Sequence, residues 1–122
     1  MEKLTIQEES VMLHVWKLNL CAIKDVWNEL EEPKPPYTTV ASVFRNLEQK
    51  GYLNSQKFGN VNVFSPKIAE KEYKRAFMSS VVESYFENSY KELVSFFAKE
   101  EKISPEDLQE IIQMIEKGKN NL

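Results

Sequence analysis

Apolar and polar positions follow two different periods along this chain, and the point where the period changes organises the rest. Val40, Val43, Phe44 and Leu47 recur at helical spacing, which predicts an amphipathic helix that closes before Gly51. Its other face carries Thr38, Ala41, Ser42, Arg45 and Gln49. Thr38 or Thr39, following prolines 33, 35 and 36, is expected to cap the helix by accepting a first-turn N–H. Gly51 comes after the last turn, where a left-handed residue closes a helix. Beyond it the period becomes two. Leu53, Ser55 and Lys57 alternate with Asn54, Gln56 and Phe58, as in a strand. Gly59-Asn60 is a hairpin-type pair, and Val61 to Ser65 forms a second β-rich run that Pro66 ends. Helix, tight stop and two-stranded hairpin predict the recognition helix and wing of a winged helix-turn-helix.

Upstream, Thr5-Ile6-Gln7-Glu8 fits a capping box. The helix it starts should run to about Lys17 and bury Val11, Met12, Val15 and Trp16. Leu18 to Ala22 reads as a turn, and a short helix from Ile23 to Leu30 should bury Ile23, Val26, Trp27 and Leu30. The prolines that follow stiffen the loop and hold the next helix at a set angle.

Downstream of Pro66 the pattern is helical to the end. Tyr73, Phe77, Val81 and Tyr85 repeat every four residues, and Asn88-Ser89 marks a break. Tyr90, Leu93, Val94 and Phe97 make another apolar face. Ser104-Pro105-Glu106-Asp107 is a helix start, and Leu108, Ile111, Ile112 and Ile115 form a stripe that Lys117, Gly118 and Lys119 should end. Three short helices alone bury such apolar surface poorly. The expected organisation is therefore mainly α with a small β-hairpin. Residues 1–66 would be a winged-helix DNA-binding domain and 67–122 a helical dimerisation region. The dimer face would be Tyr73, Phe77, Val81, Tyr85, Tyr90, Leu93, Phe97, Leu108, Ile111, Ile112 and Ile115. The competing arrangement is one monomeric core, with the tail folded back on the winged helix.

Composition narrows the function. With 122 residues, 42% hydrophobic and 29% charged, the chain is of ordinary globular composition. No apolar run approaches the ~20 residues of a membrane span, and the N-terminus lacks a signal-peptide pattern, so a cytoplasmic protein is expected. The single cysteine, Cys21, cannot form an internal disulfide and reads as a small packing residue. His14 reads as an exposed helix position. No ligand set surrounds either residue, so neither a metal nor a cofactor is expected. No phosphate loop or nucleophile arrangement points to an enzyme.

Net charge is −3, with 7 basic against 8 acidic residues up to Pro66 and 9 against 11 after it. The stretch from Tyr37 to Ser65 nonetheless holds Arg45, Lys50 and Lys57 against Glu48 alone. Mid-helix Arg45 suits guanine O6 and N7. Thr38, Thr39, Ala41 and Ser42 suit phosphate and thymine-methyl contacts. Lys57, Asn60 and Asn62 would place the wing tip on the DNA backbone. The acidic net charge leaves one alternative open, a winged-helix protein-interaction module without DNA binding.

In joint order these motifs resemble the penicillinase-repressor family of bacterial transcription repressors, the BlaI/MecI/CopY group. The likeness runs from Val15-Trp16 through Val26-Trp27 to Tyr37-Thr38-Thr39-Val40. It continues with Leu47 to Leu53, Phe64-Ser65-Pro66 and the order of the tail helices. The resemblance implies a homodimer that binds a palindromic double-stranded operator and occludes transcription. It adds Asn46 to the base-reading positions, where many relatives carry Arg. In the β-lactam (antibiotic-resistance) branch a membrane sensor protease system triggers cleavage of the tail at an Asn-Phe pair, which aligns with Ser95-Phe96 here. The copper-responsive branch has a Cys-x-Cys near its C-terminus, whereas this tail has no cysteine.

Overall fold

The structure, a computed structural model, describes residues 1–120. Its elements run α1 (Ile6–Leu18), α2 (Ile23–Glu29), α3 (Tyr37–Gln49), β1 (Leu53–Phe58), β2 (Val61–Pro66), α4 (Glu70–Tyr85), α5 (Tyr90–Lys99) and α6 (Pro105–Asn120). They fall into two compact units, Met1–Arg75 and a second that starts at Ala76. The expected class, mainly helical with one antiparallel hairpin, is what the chain adopts.

In the first unit α1 starts as its capping box predicts. Glu8 N–H donates to Thr5 Oγ1 at 3.1 Å, and Thr5 N–H donates to Glu8 Oε1 at 2.9 Å. Val11, Met12 and Val15 of α1 join Val26, Val40, Val43, Phe44, Leu47, Tyr52, Leu53 and Phe64 in one core. Phe44 and Phe64 meet with ring centroids 4.8 Å apart, which ties α3 to the hairpin. Trp16, Ile23, Trp27 and Leu30 pack on the edge of this core and are half-buried. The ring N–H of each tryptophan finds a backbone carbonyl as its partner. Trp16 Nε1 donates to Ile68 O and Trp27 Nε1 to Pro35 O, both at 2.9 Å.

Periodicity carried no sign of two further features. Cys21 and Phe64 pair as an isolated bridge, N–H to carbonyl both ways at 3.0 and 2.7 Å, so the α1–α2 turn is pinned beside β2. Spacing also groups Tyr73 with the tail stripe, but the structure places its ring in the first unit. It lies 5.3 Å from Trp16 and 6.0 Å from Tyr52, with its hydroxyl donating to Glu9 Oε2 at 2.5 Å.

In the second unit Ser89 caps α5 by accepting from Glu92 N–H at 3.1 Å. Ser104 and Asp107 cap α6 reciprocally at 3.0 and 3.1 Å. The expected stop at Gly118 does not occur, and α6 continues to Asn120. Glycine weakens a helix by about 1 kcal/mol relative to Ala without forbidding it. Among the described residues of this unit Val82 is buried, whereas Tyr85, Tyr90, Phe96, Phe97 and the α6 isoleucines 111, 112 and 115 are exposed.

Candidate nucleic-acid interface

Trp27 and the loop before α3 set the start of that helix. Lys34 Nζ sits 4.7 Å from the Trp27 ring centroid and donates to Asn28 O at 2.9 Å, while Tyr37 packs edge-on to Trp27 at 6.3 Å. The helix begins earlier than expected. Pro36 is the N-cap, its carbonyl accepting from Thr39 and Val40 N–H, and no side chain caps the helix. Thr38 and Thr39 therefore lie inside the first turn, and neither is the cap. The reason is steric: proline presets the extended backbone a cap position adopts and leaves no N–H of its own to satisfy.

The other end of α3 closes in a Schellman motif. Tyr52 N–H donates to Leu47 O at 2.9 Å and Gly51 N–H to Glu48 O at 3.1 Å, with Gly51 at φ 84°. This turn aims the hairpin. β1 and β2 pair from Leu53↔Pro66 to Phe58↔Val61, leaving Gly59-Asn60 as a two-residue loop. Gly59 has φ 61° and Asn60 does not, the arrangement of a type II′ turn.

Val40, Val43, Phe44 and Leu47 turn inward as the pattern predicts, and this sets the outward face. Thr38, Ser42, Arg45, Asn46 and Gln49 are exposed, and Thr39 and Ala41 half-exposed. Thr38 and Arg45 are seven residues apart on that face, roughly 10 Å along the axis. Ser42 Oγ donates to Thr38 O at 3.1 Å. The side chains of Arg45 and Lys57 make no hydrogen bond or ion pair among the described residues, so both cations are open to an anionic partner. Lys57, Asn60 and Asn62 are all exposed on the hairpin. Lys57 and Asn62 stand opposite each other on the ribbon face that carries Leu53, Ser55 and Phe64. Ser55 of that face donates to Glu48, which draws the one carboxylate of the region to the wing base.

Lys50 is the departure from the expected charge pattern. Its Nζ is 2.6 Å from Glu8 Oε1 and donates to Lys3 O at 3.1 Å, leaving its side chain 23% exposed. It locks the N-terminal segment to the end of α3 instead of facing outward. Burial works to raise the Glu8 carboxyl pKa, but the bonds from Lys50 and Thr5 outweigh it and hold the carboxyl below its ordinary value. Tyr52, fully buried, donates to Glu2 O from its hydroxyl, which anchors the same segment; burial and nearby Glu2 and Glu8 push the phenol up. Burial, with Asp25 and Glu29 nearby, pushes the Cys21 thiol up to about 11, so it is a neutral packing group. The described residues contain no His/Cys/carboxylate cluster able to hold a metal, and no helix is long and apolar enough to cross a membrane.

The first unit is thus a winged helix-turn-helix with one face of α3 open to solvent, the fold of a class of transcriptional regulators. A solved DNA-binding domain of the repressor BlaI is 31% identical, with a TM-score of 0.52, covering 60% of this chain and 94% of that one. A curated penicillinase repressor from Bacillus licheniformis is 29% identical over 118 residues, spanning 93% of this chain and 89% of the relative. A mutant ZitR structure from Lactococcus lactis matches 98% of this chain and 76% of its own at 15% identity, with a TM-score of 0.48. The model of the penicillinase repressor family matches residues 4–117, and the chain belongs to that family. Its members are transcriptional regulators rather than enzymes, as the absence of a catalytic motif led us to expect.

Proposed function

We propose that this chain is a dimeric, cytoplasmic, sequence-specific repressor that binds a palindromic double-stranded operator through α3 and the wing. The observation that carries the reading is Arg45, which stands unpaired at the middle of the exposed α3 face. The BlaI domain that the first unit resembles is a DNA-binding domain, which supports the same use of this surface. Arg45, with Asn46 beside it, reads base edges. Thr38, Thr39, Ala41 and Ser42 lie against phosphates and thymine methyls, and Lys57, Asn60 and Asn62 hold the backbone beside the groove.

The exposed apolar side chains of the second unit support self-association. Tyr85, Tyr90, Phe97, Ile111, Ile112 and Ile115 are each at least 40% exposed, more apolar surface than a monomer of this size needs to show. Phe77 of α4 and the half-buried Val81, Leu93 and Leu108 complete the proposed face. Two copies related by a two-fold axis present two reading helices to two half-sites, spaced by multiples of ~10 bp. Ser95 stands in place of the Asn of the aligned cleavage pair, and Ser95-Phe96 lies within α5, so release by a sensor protease is not carried over to this chain. A gel shift on fragments of the source genome at low salt is the test. Retarded fragments sharing an inverted repeat are expected; no retardation at any salt would leave the protein-interaction module in its place.

A further inference from the structure

The wing ends in an apolar pair. Phe58 and Val61 stand directly opposite each other in the last rung before the Gly59-Asn60 turn, 56% and 51% exposed. They share a ribbon face with Gln56 and Val63, and Lys57 and Asn62 occupy the other. Exposed aromatic and β-branched side chains at the tip of a two-stranded hairpin add nothing to the core and invite edge association. From Leu53 to Ala69 the chain holds Lys57 and Lys67 and no carboxylate. The tip is therefore apolar at its end, cationic at its side and free of groups that repel phosphate.

Its reach matches a groove. Six residues of strand extend roughly 20 Å from the end of α3. The minor groove next to an occupied major groove is about half a helical turn away, roughly 17 Å. We propose that the Phe58–Val61 pair enters the minor groove flanking the half-site as an apolar wedge against a base step, while Lys57 meets a flanking phosphate. A wedge of this kind opens a base step, so it favours flexible pyrimidine–purine steps such as TA at a position that α3 does not touch. This inference rests on the operator-binding reading above and adds a second recognition element to it.

The test uses the full chain and a duplex that the wild-type protein selects from a random pool. Affinity is measured against salt for wild type, Phe58→Ser and Phe58→Leu. A wedge buries apolar surface and releases no counterions. Phe58→Ser should therefore weaken binding on the order of tenfold with the salt slope unchanged, and Phe58→Leu should retain most of the affinity. Replacing a flanking TA step by GC should weaken wild type and leave Phe58→Ser unaffected. Undiminished affinity in Phe58→Ser, or a loss accompanied by a shallower salt slope, would overturn the wedge. A loss of self-association in place of DNA affinity would assign the tip to a second copy and overturn it as well. Failure of the wild type to select any duplex would instead remove the repressor reading on which the wedge stands.

Discussion

Arg45 and Lys50 are five residues apart, both basic, and used in opposite ways. Arg45 points to solvent with no partner among the described residues, whereas Lys50 turns back to Glu8. Arg45→Ala should cost about 1–3 kcal/mol at the selected operator and little on random DNA. Competition binding against both duplexes checks this, and equal losses would mean that Arg45 only touches phosphate. Glu8 carries a pH dependence whose sign follows from its lowered pKa. Its contribution is fully present above the ordinary carboxyl value and is lost as pH falls through the depressed one. Glu8→Gln should destabilise the fold by about 1–3 kcal/mol at pH 7, a charge-assisted hydrogen bond being lost. That gap should narrow as pH falls below about 4.5. Urea midpoints for both chains across that range are the measurement.

At the scale of elements, the stop after α3 and the charge on the hairpin are separable. Gly51 sits at φ 84°, and a Cβ added there meets nothing within 4 Å. The cost of Gly51→Ala is then backbone strain alone, about 1–2 kcal/mol, seen as a lower melting temperature. Because the same turn aims the wing, operator affinity should fall further than stability explains. Lys57→Ala should weaken all duplexes alike and lower the salt slope by about 0.9, with stability unchanged. A slope identical to wild type would remove Lys57 from the contact surface.

For the whole molecule, α4 is shared between the two compact units, and this decides where the chain can be cut. Ending it at Pro66 deletes Ile68, which accepts the Trp16 ring N–H, and Tyr73, which bonds Glu9 and packs on Trp16. A chain ending at Arg75 keeps all of these contacts. The shorter fragment should melt well below the longer one in circular dichroism. The 1–75 fragment should bind a single half-site and lose most of the affinity for the full operator, since two linked heads gain through effective concentration. Sedimentation of the full chain at micromolar concentration should give a dimer mass. A monomer mass, with operator affinity kept by the 1–75 fragment, would end the dimer model.

Helix α3, its hairpin and the inward face of the first unit were legible from the sequence because each rests on local periodicity. Val40, Val43, Phe44 and Leu47 could satisfy a helix only by facing inward, which set Thr38, Ser42 and Arg45 outward before any contact was known. Gly51 and Gly59 marked left-handed positions for the same local reason, the absence of a Cβ. What only the tertiary structure decided was pairing across long separations. Lys50 joins Glu8 over 42 residues, Trp16 joins Ile68 over 52 and Tyr73 joins Glu9 over 64. A charge or a ring in sequence states that it needs a partner and not which one, so Lys50 looked like part of the reading surface and Tyr73 like part of the tail. Both assignments depend on where the folded backbone brings a complementary group within about 3 Å, and that distance is a property of the fold.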